Sequence, residues 1–190
     1  MTPKRLLYLF ALLIGLWLLW PVLRPQPLIL HSDGSIARGS LQVDGHRITA
    51  LEPFELQARV LGREDYRHDR PARLSPTDLA LGWGPMADPA VIAQVEIRQS
   101  NRWYYWQVQQ FPIPRREIER NSANMHMIPG SASVARTLAQ VREGQLIRLS
   151  GHLVQVEGDD GFRWVSSRTR DDTGDGACEV IWVEQLQILD

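Results

Sequence analysis

Cys178 is the only cysteine in the 190-residue chain, and His126 precedes it by 52 residues. A thiol beside an imidazole can ionise and attack a carbonyl. The bland alternative is a small apolar thiol at the start of a strand and a histidine capping a loop, since free cysteine is among the most buried residue types.

Two further groups of residues carry chemistry. Asp171-Asp172-Thr173-Gly174-Asp175-Gly176 places oxygens at alternate positions before glycine, as in the first half of a calcium loop. Asp171 and Asp175 would be metal ligands, but the position of the closing glutamate falls on Trp182. A tight acidic turn explains the same residues without calcium. Trp103-Tyr104-Tyr105-Trp106 is the other group. On a strand Trp103 and Tyr105 face one way while Tyr104 and Trp106 face the other. One pair can then enter a core and the other form a surface platform, with Arg168 and Arg170 as further binding residues.

Composition limits the classes. Apolar residues make up 44% and there are 15 aromatics, which excludes low-complexity disorder. One cysteine excludes an internal disulfide and a multi-cysteine zinc site. Past residue 24 the chain holds 18 basic and 22 acidic residues, a net charge of −4. A body of that sign is not built to attract nucleic acid.

Leu6 to Leu23 is uncharged over 18 residues. As a helix it would rise about 27 Å, enough for a bilayer core. The run ends Trp20-Pro21-Val22-Leu23, without the small residues of a cleavage site. Lys4 and Arg5 precede it and Arg24 alone follows, which favours the N-terminus inside. The expected organisation is a cytoplasmic tail at 1–5, a transmembrane anchor at 6–23, a linker at 24–40 and an extracytoplasmic α+β domain at 41–190. The location is then the bacterial inner membrane, with the C-terminal domain in the periplasm.

Local signals place the elements. Asp44-Gly45 between β-prone runs predicts a hairpin, and Phe54–Leu61 reads as a further strand. Ser75-Pro76-Thr77-Asp78 predicts a short helix ended by Gly82 and Gly84. Asp88-Pro89 starts a second short helix, and Ser131 caps a third over 132–141. Segments 96–99 and 103–109 form a hairpin around Ser100-Asn101-Arg102. Gln145 to Val156 is a long strand in which Gly151 marks a bulge or a sharp bend. Phe162–Ser167 and Cys178–Leu186 are the last strands. The fold class is α+β and mostly β, a bent sheet or small OB-like barrel with two or three short helices.

Three blocks resemble a family of small bacterial single-pass membrane-anchored proteins to which no activity is attached. They are Asp78-Leu79-Ala80-Leu81-Gly82-Trp83-Gly84, Ser122-Ala123-Asn124-Met125-His126-Met127-Ile128-Pro129, and the run from Ser166 to Glu179 containing Thr169-Arg170-Asp171-Asp172-Thr173-Gly174-Asp175-Gly176-Ala177-Cys178. The resemblance implies a bacterial envelope protein and carries no catalytic role. The order and spacing of His126 and Cys178 are also similar to sortases, membrane-anchored β-barrel transpeptidases. Sortases carry an arginine after the cysteine; none follows Cys178 here, so Arg168 or Arg170 would have to take that catalytic place. The expected function is non-enzymatic binding of an envelope protein or glycan, with a cysteine-dependent envelope hydrolase or transpeptidase as the alternative. No cofactor is expected apart from the calcium reading.

Overall fold

The computed structural model describes residues 39–169 and 177–190. The anchor expected at 6–23 lies outside them, as do Arg170, Asp171 and Asp175. No helix among the described residues is long and apolar enough to cross a membrane.

Asp44 (φ 52°) and Gly45 (φ 75°) form the turn between β1 (Ser40–Val43) and β2 (His46–Asp65). Two left-handed residues match the twist of the flanking strands, which is why Asp-Gly sits there. β2 is one strand of 20 residues, where the sequence suggested two separated near Pro53. The ladder with β7 (Leu146–Gly158) shifts register between Ala50 and Glu52, and this bulge accommodates the proline.

Where Ser75-Pro76-Thr77-Asp78 suggested a short helix, the chain instead forms β3, Thr77–Gly82. Every residue of β3 is buried. Leu79 and Leu81 enter the interior, while Ala80 packs into a cluster on the other face. A strand covered on both sides shows no exposed polar face, so its capping-like prelude misleads. The prelude has other duties: the Thr77 hydroxyl donates to Asp65 at 2.7 Å.

β4 (Glu96–Ser100) and β5 (Trp103–Gln107) form a separate two-stranded hairpin. β6 is Ser122–Pro129, β8 is Arg163–Val165 and β9 is Glu179–Ile188. Among the described residues three short α-helices accompany them: α1 (Pro89–Ile92), α2 (Arg115–Arg120) and α3 (Ala132–Leu138). Asp88 caps α1 by accepting from the Ala90 amide, and Ser131 caps α3 by accepting from the Val134 amide. Arg63 closes the far end of α3, donating to the Leu138 and Val141 carbonyls at 2.5 and 3.3 Å.

Pairing runs β2–β3–β6–β9–β7 and returns to β2, so five strands close a ring. All pairs in it are antiparallel except β6–β9. Gly151 allows the bend: a Cβ there would overlap the Trp182 carbonyl oxygen, and the β7–β9 register shifts beside it. The interior holds Leu79, Leu81, Met125, Met127, Ile181 and Val183 among others. β1 and β8 extend the sheet over a second cluster around Ile48, Val156 and Trp182. The β4–β5 hairpin covers a third, on the outer side of β2, β3 and β6, built from Leu61, Ala80, Met86, Ile118, Tyr104 and Trp106.

Candidate functional site

The hairpin is turned by Asn101 and Arg102, with φ of 53° and 70°. Arginine is uncommon in the left-handed region, where glycine is the usual choice. Its side chain accounts for its presence. Nε and Nη2 donate to the two oxygens of Asp69 at 2.6 and 3.0 Å, and Nη1 donates to Asp78 Oδ1 at 2.7 Å. The guanidinium lies 3.7 Å over the Tyr66 ring, and the Arg102 amide donates to the Tyr66 hydroxyl at 2.9 Å.

Burial alone would lower the pKa of Arg102. The bonds to Asp69 and the charges of Asp78 and Asp69 outweigh it and raise the value, so the guanidinium stays charged. Burial pushes the Tyr66 hydroxyl up to about 12, so the ring beneath Arg102 is neutral.

Asp78 is fully buried, and its second oxygen accepts from Asn124 Nδ2 at 3.1 Å. His126 lies opposite Asp78 in the β3–β6 ladder. Its Nδ1 is 2.9 Å from Asp78 Oδ2, close enough for an ion pair but without the alignment of a hydrogen bond. The imidazole also packs on Trp164, centroids 4.4 Å apart. Asn124 is bonded at both ends of its amide: Nδ2 also donates to the Arg102 carbonyl at 3.2 Å, and Oδ1 accepts from Gln99 at 2.7 Å. This network ties the hairpin tip to the outer face of β3 and β6. It positions the hairpin, and its two carboxylates share one arginine that stays charged.

Along β5 the aromatic alternation expected from the sequence is present. Tyr104 and Trp106 pack into the cluster beneath the hairpin, while Trp103 and Tyr105 are 38% and 47% exposed. The Tyr104 hydroxyl donates to Ser122 Oγ at 2.9 Å, and that hydroxyl donates to the Ile118 carbonyl at 2.7 Å. Burial raises the Tyr104 pKa to about 12. Beside β5 lies a cavity of about 320 Å³, walled by the four aromatics, Glu119, the start of β6 and Ala177-Cys178. A larger concavity of about 550 Å³ sits at the open end of the hairpin, among Gln94, Glu96, Gln107 and Gln109, and has no aromatic wall.

Cys178 is half-buried on the wall of the smaller cavity and immediately precedes β9. His126 pairs with Val180 in β9, so the fold brings Cys178, just ahead of that strand, near the strand that holds His126. The histidine does not cap a loop, as the bland reading had it. It is a buried member of β6, turned onto Asp78 and Trp164. Arg168 is exposed and holds Glu52 through Nε and Nη2 at 3.1 and 3.0 Å. Arg170 and the proposed calcium ligands Asp171 and Asp175 lie outside the described residues. Among the described residues no group of three His, Cys, Asp or Glu side chains could hold a metal ion.

The network residues Asp69, Asp78, Gln99, Arg102 and Asn124 were not singled out from the sequence. One signal was available: Asn124 and His126 alternate with Ala123, Met125 and Met127, the pattern of a strand with one polar face. No family model matches the chain, and no curated protein or solved structure matches it either.

Proposed function

We propose that this protein is a non-enzymatic binding domain held at the bacterial inner membrane by residues 6–23, with its body in the periplasm. It takes an envelope partner, protein or glycan, at Trp103 and Tyr105. The observation that carries this reading is the pair of large aromatics left exposed on a hairpin that a buried ion-pair network holds in place. Exposed aromatics on a fixed backbone contribute contact area at low entropic cost. The strand order supports an OB-like barrel: an antiparallel five-strand ring closed by one parallel pair, with α3 between β6 and β7. The fold analogy says nothing of the ligand.

The test is a photoreactive residue at Tyr105 in the full chain, expressed in bacterial cells, with one at exposed Leu189 as control. A discrete adduct from position 105, lost on Trp103→Ala, is the expected outcome. Labelling no stronger than at Leu189 rejects the reading. A C-terminal alkaline phosphatase fusion checks the orientation, since an inactive fusion places the body in the cytoplasm.

A second reading, the cysteine-dependent hydrolase or transpeptidase, draws on Cys178 standing at a cavity one strand from His126. Alkylation of the unique thiol across pH separates the two. A thiolate forming below about pH 7 and abolished by His126→Ala favours the enzyme. A thiol that reacts only after denaturation removes it.

A further inference from the structure

We infer that the cavity beside β5 binds a small organic cation, an ammonium group on an apolar body. The inference rests on reading the hairpin as a binding surface and names the ligand chemistry of the space next to it. Trp103, Tyr104, Tyr105 and Trp106 all border the cavity, from the two faces of β5, and Glu119 is the only charged side chain among the described residues that line it. The polar groups on the opposite wall are committed elsewhere. Ser122 Oγ accepts from Tyr104 and donates to the Ile118 carbonyl, and the Asn124 amide is bonded through both of its atoms. On that wall no hydroxyl or amide is left for an anion or for the hydroxyls of a sugar, and the side-chain donors of the aromatic wall are the indole N–H groups and the Tyr105 hydroxyl. What the walls do offer is aromatic rings, whose faces are electron-rich, and one carboxylate, and both attract positive charge. A volume of about 320 Å³ suits a small molecule.

The chain's own Arg115 shows that these groups take a cation. Its guanidinium carbon lies 5.7 Å from the Trp106 ring centroid, and its Nε donates to Glu119 at 2.7 Å. Arg115 is 70% exposed and does not line the cavity, so it holds this position from the rim. It would act as a weak internal competitor for an incoming ammonium group.

The probes are choline and its uncharged analogue 3,3-dimethyl-1-butanol, titrated into the full chain in a neutral detergent. The readout is the indole N–H signals of Trp103 and Trp106 by NMR. Choline should shift them saturably, and the neutral analogue should bind about tenfold more weakly. Glu119→Gln, nearly isosteric and partly exposed, should weaken choline about tenfold, whereas Arg115→Ala should not weaken it. Equal affinity for the two probes overturns the inference, as does the absence of saturation by choline. The same chemistry could arrive as a lipid headgroup. Phosphatidylcholine nanodiscs that reproduce the indole shifts without free choline assign the site to the headgroup, and shifts seen only with free choline assign it to a soluble ligand. If choline fails while the Tyr105 adduct persists, this inference falls and the binding reading stands. If choline saturates while no adduct forms, the reverse holds.

Discussion

The two faces of β3 and β6 are both buried, yet they are built from opposite chemistry. Inward, Leu79, Leu81, Met125 and Met127 pack against β7 and β9 in an apolar interior. Outward, Asp78, Asn124 and His126 meet Arg102, Gln99 and Trp164 in a polar layer under the hairpin. Apolar packing is non-directional and tolerates repacking of similar volume. Hydrogen-bonded charges are directional, and a buried one left alone is heavily penalised. The inner face therefore supplies stability to the whole barrel, while the outer face fixes where one hairpin sits. The backbone strain at Arg102 belongs to this second task.

Substitutions can separate the two roles. Asp78→Ala should have the largest effect, about 4 kcal/mol in urea unfolding, because Arg102 and Asn124 lose a shared buried partner. Leu81→Ala should cost about 3 kcal/mol by leaving a cavity in the interior. The contrast lies in amide exchange. The aspartate variant should lose protection first in β4 and β5, the leucine variant throughout the ring. Uniform loss in both would erase the distinction.

Arg102→Gly sharpens it further. Glycine relieves the left-handed backbone by about 1 kcal/mol, but the three bonds to Asp69 and Asp78 disappear. A net loss of about 2 kcal/mol is expected, read by urea unfolding, with faster exchange at Trp103 and Tyr104. A gain in stability would mean that the turn, rather than the ion pairs, holds the hairpin.

The smallest effect concerns Asp65, outside both layers. Burial would raise its pKa, but bonds from Arg63 and Thr77 and the charges of Arg63 and Arg67 bring it below its ordinary 3.8. A carboxylate depressed in the folded state contributes stability above its unfolded value, and that contribution is lost as pH falls through the folded value. The stability gap between the wild type and Asp65→Asn should thus be constant at neutral pH and close below about pH 4. Urea midpoints at several pH values check this.

Much of the fold was legible wherever a local signal had one meaning. Asp44-Gly45, Asp88-Pro89, Ser131 and Gly151 each require a particular backbone conformation or hydrogen bond, and each does what its type predicts. The alternation of Trp103 to Trp106 was legible for the same reason. β3 was misread because burial on both faces removes the polar stripe that marks a strand, leaving Ser75-Pro76 to suggest a helix. β6 and α2 went unassigned. The polar layer was invisible for a different reason: Asp78, Arg102 and His126 are separated by 24 residues at each step and meet only through strand register. No local rule reports register between distant strands.

The seat of β9 between β6 and β7 also has a consequence for biosynthesis. Both neighbours are made first, yet they do not pair with each other. Until residues 179–188 emerge, each keeps a row of unsatisfied backbone groups available to any other extended chain. A nascent chain paused before that point is a sheet with a gap the width of one strand. β9, made after both, removes both sticky edges, so truncation before it should lead to aggregation rather than to a smaller folded domain.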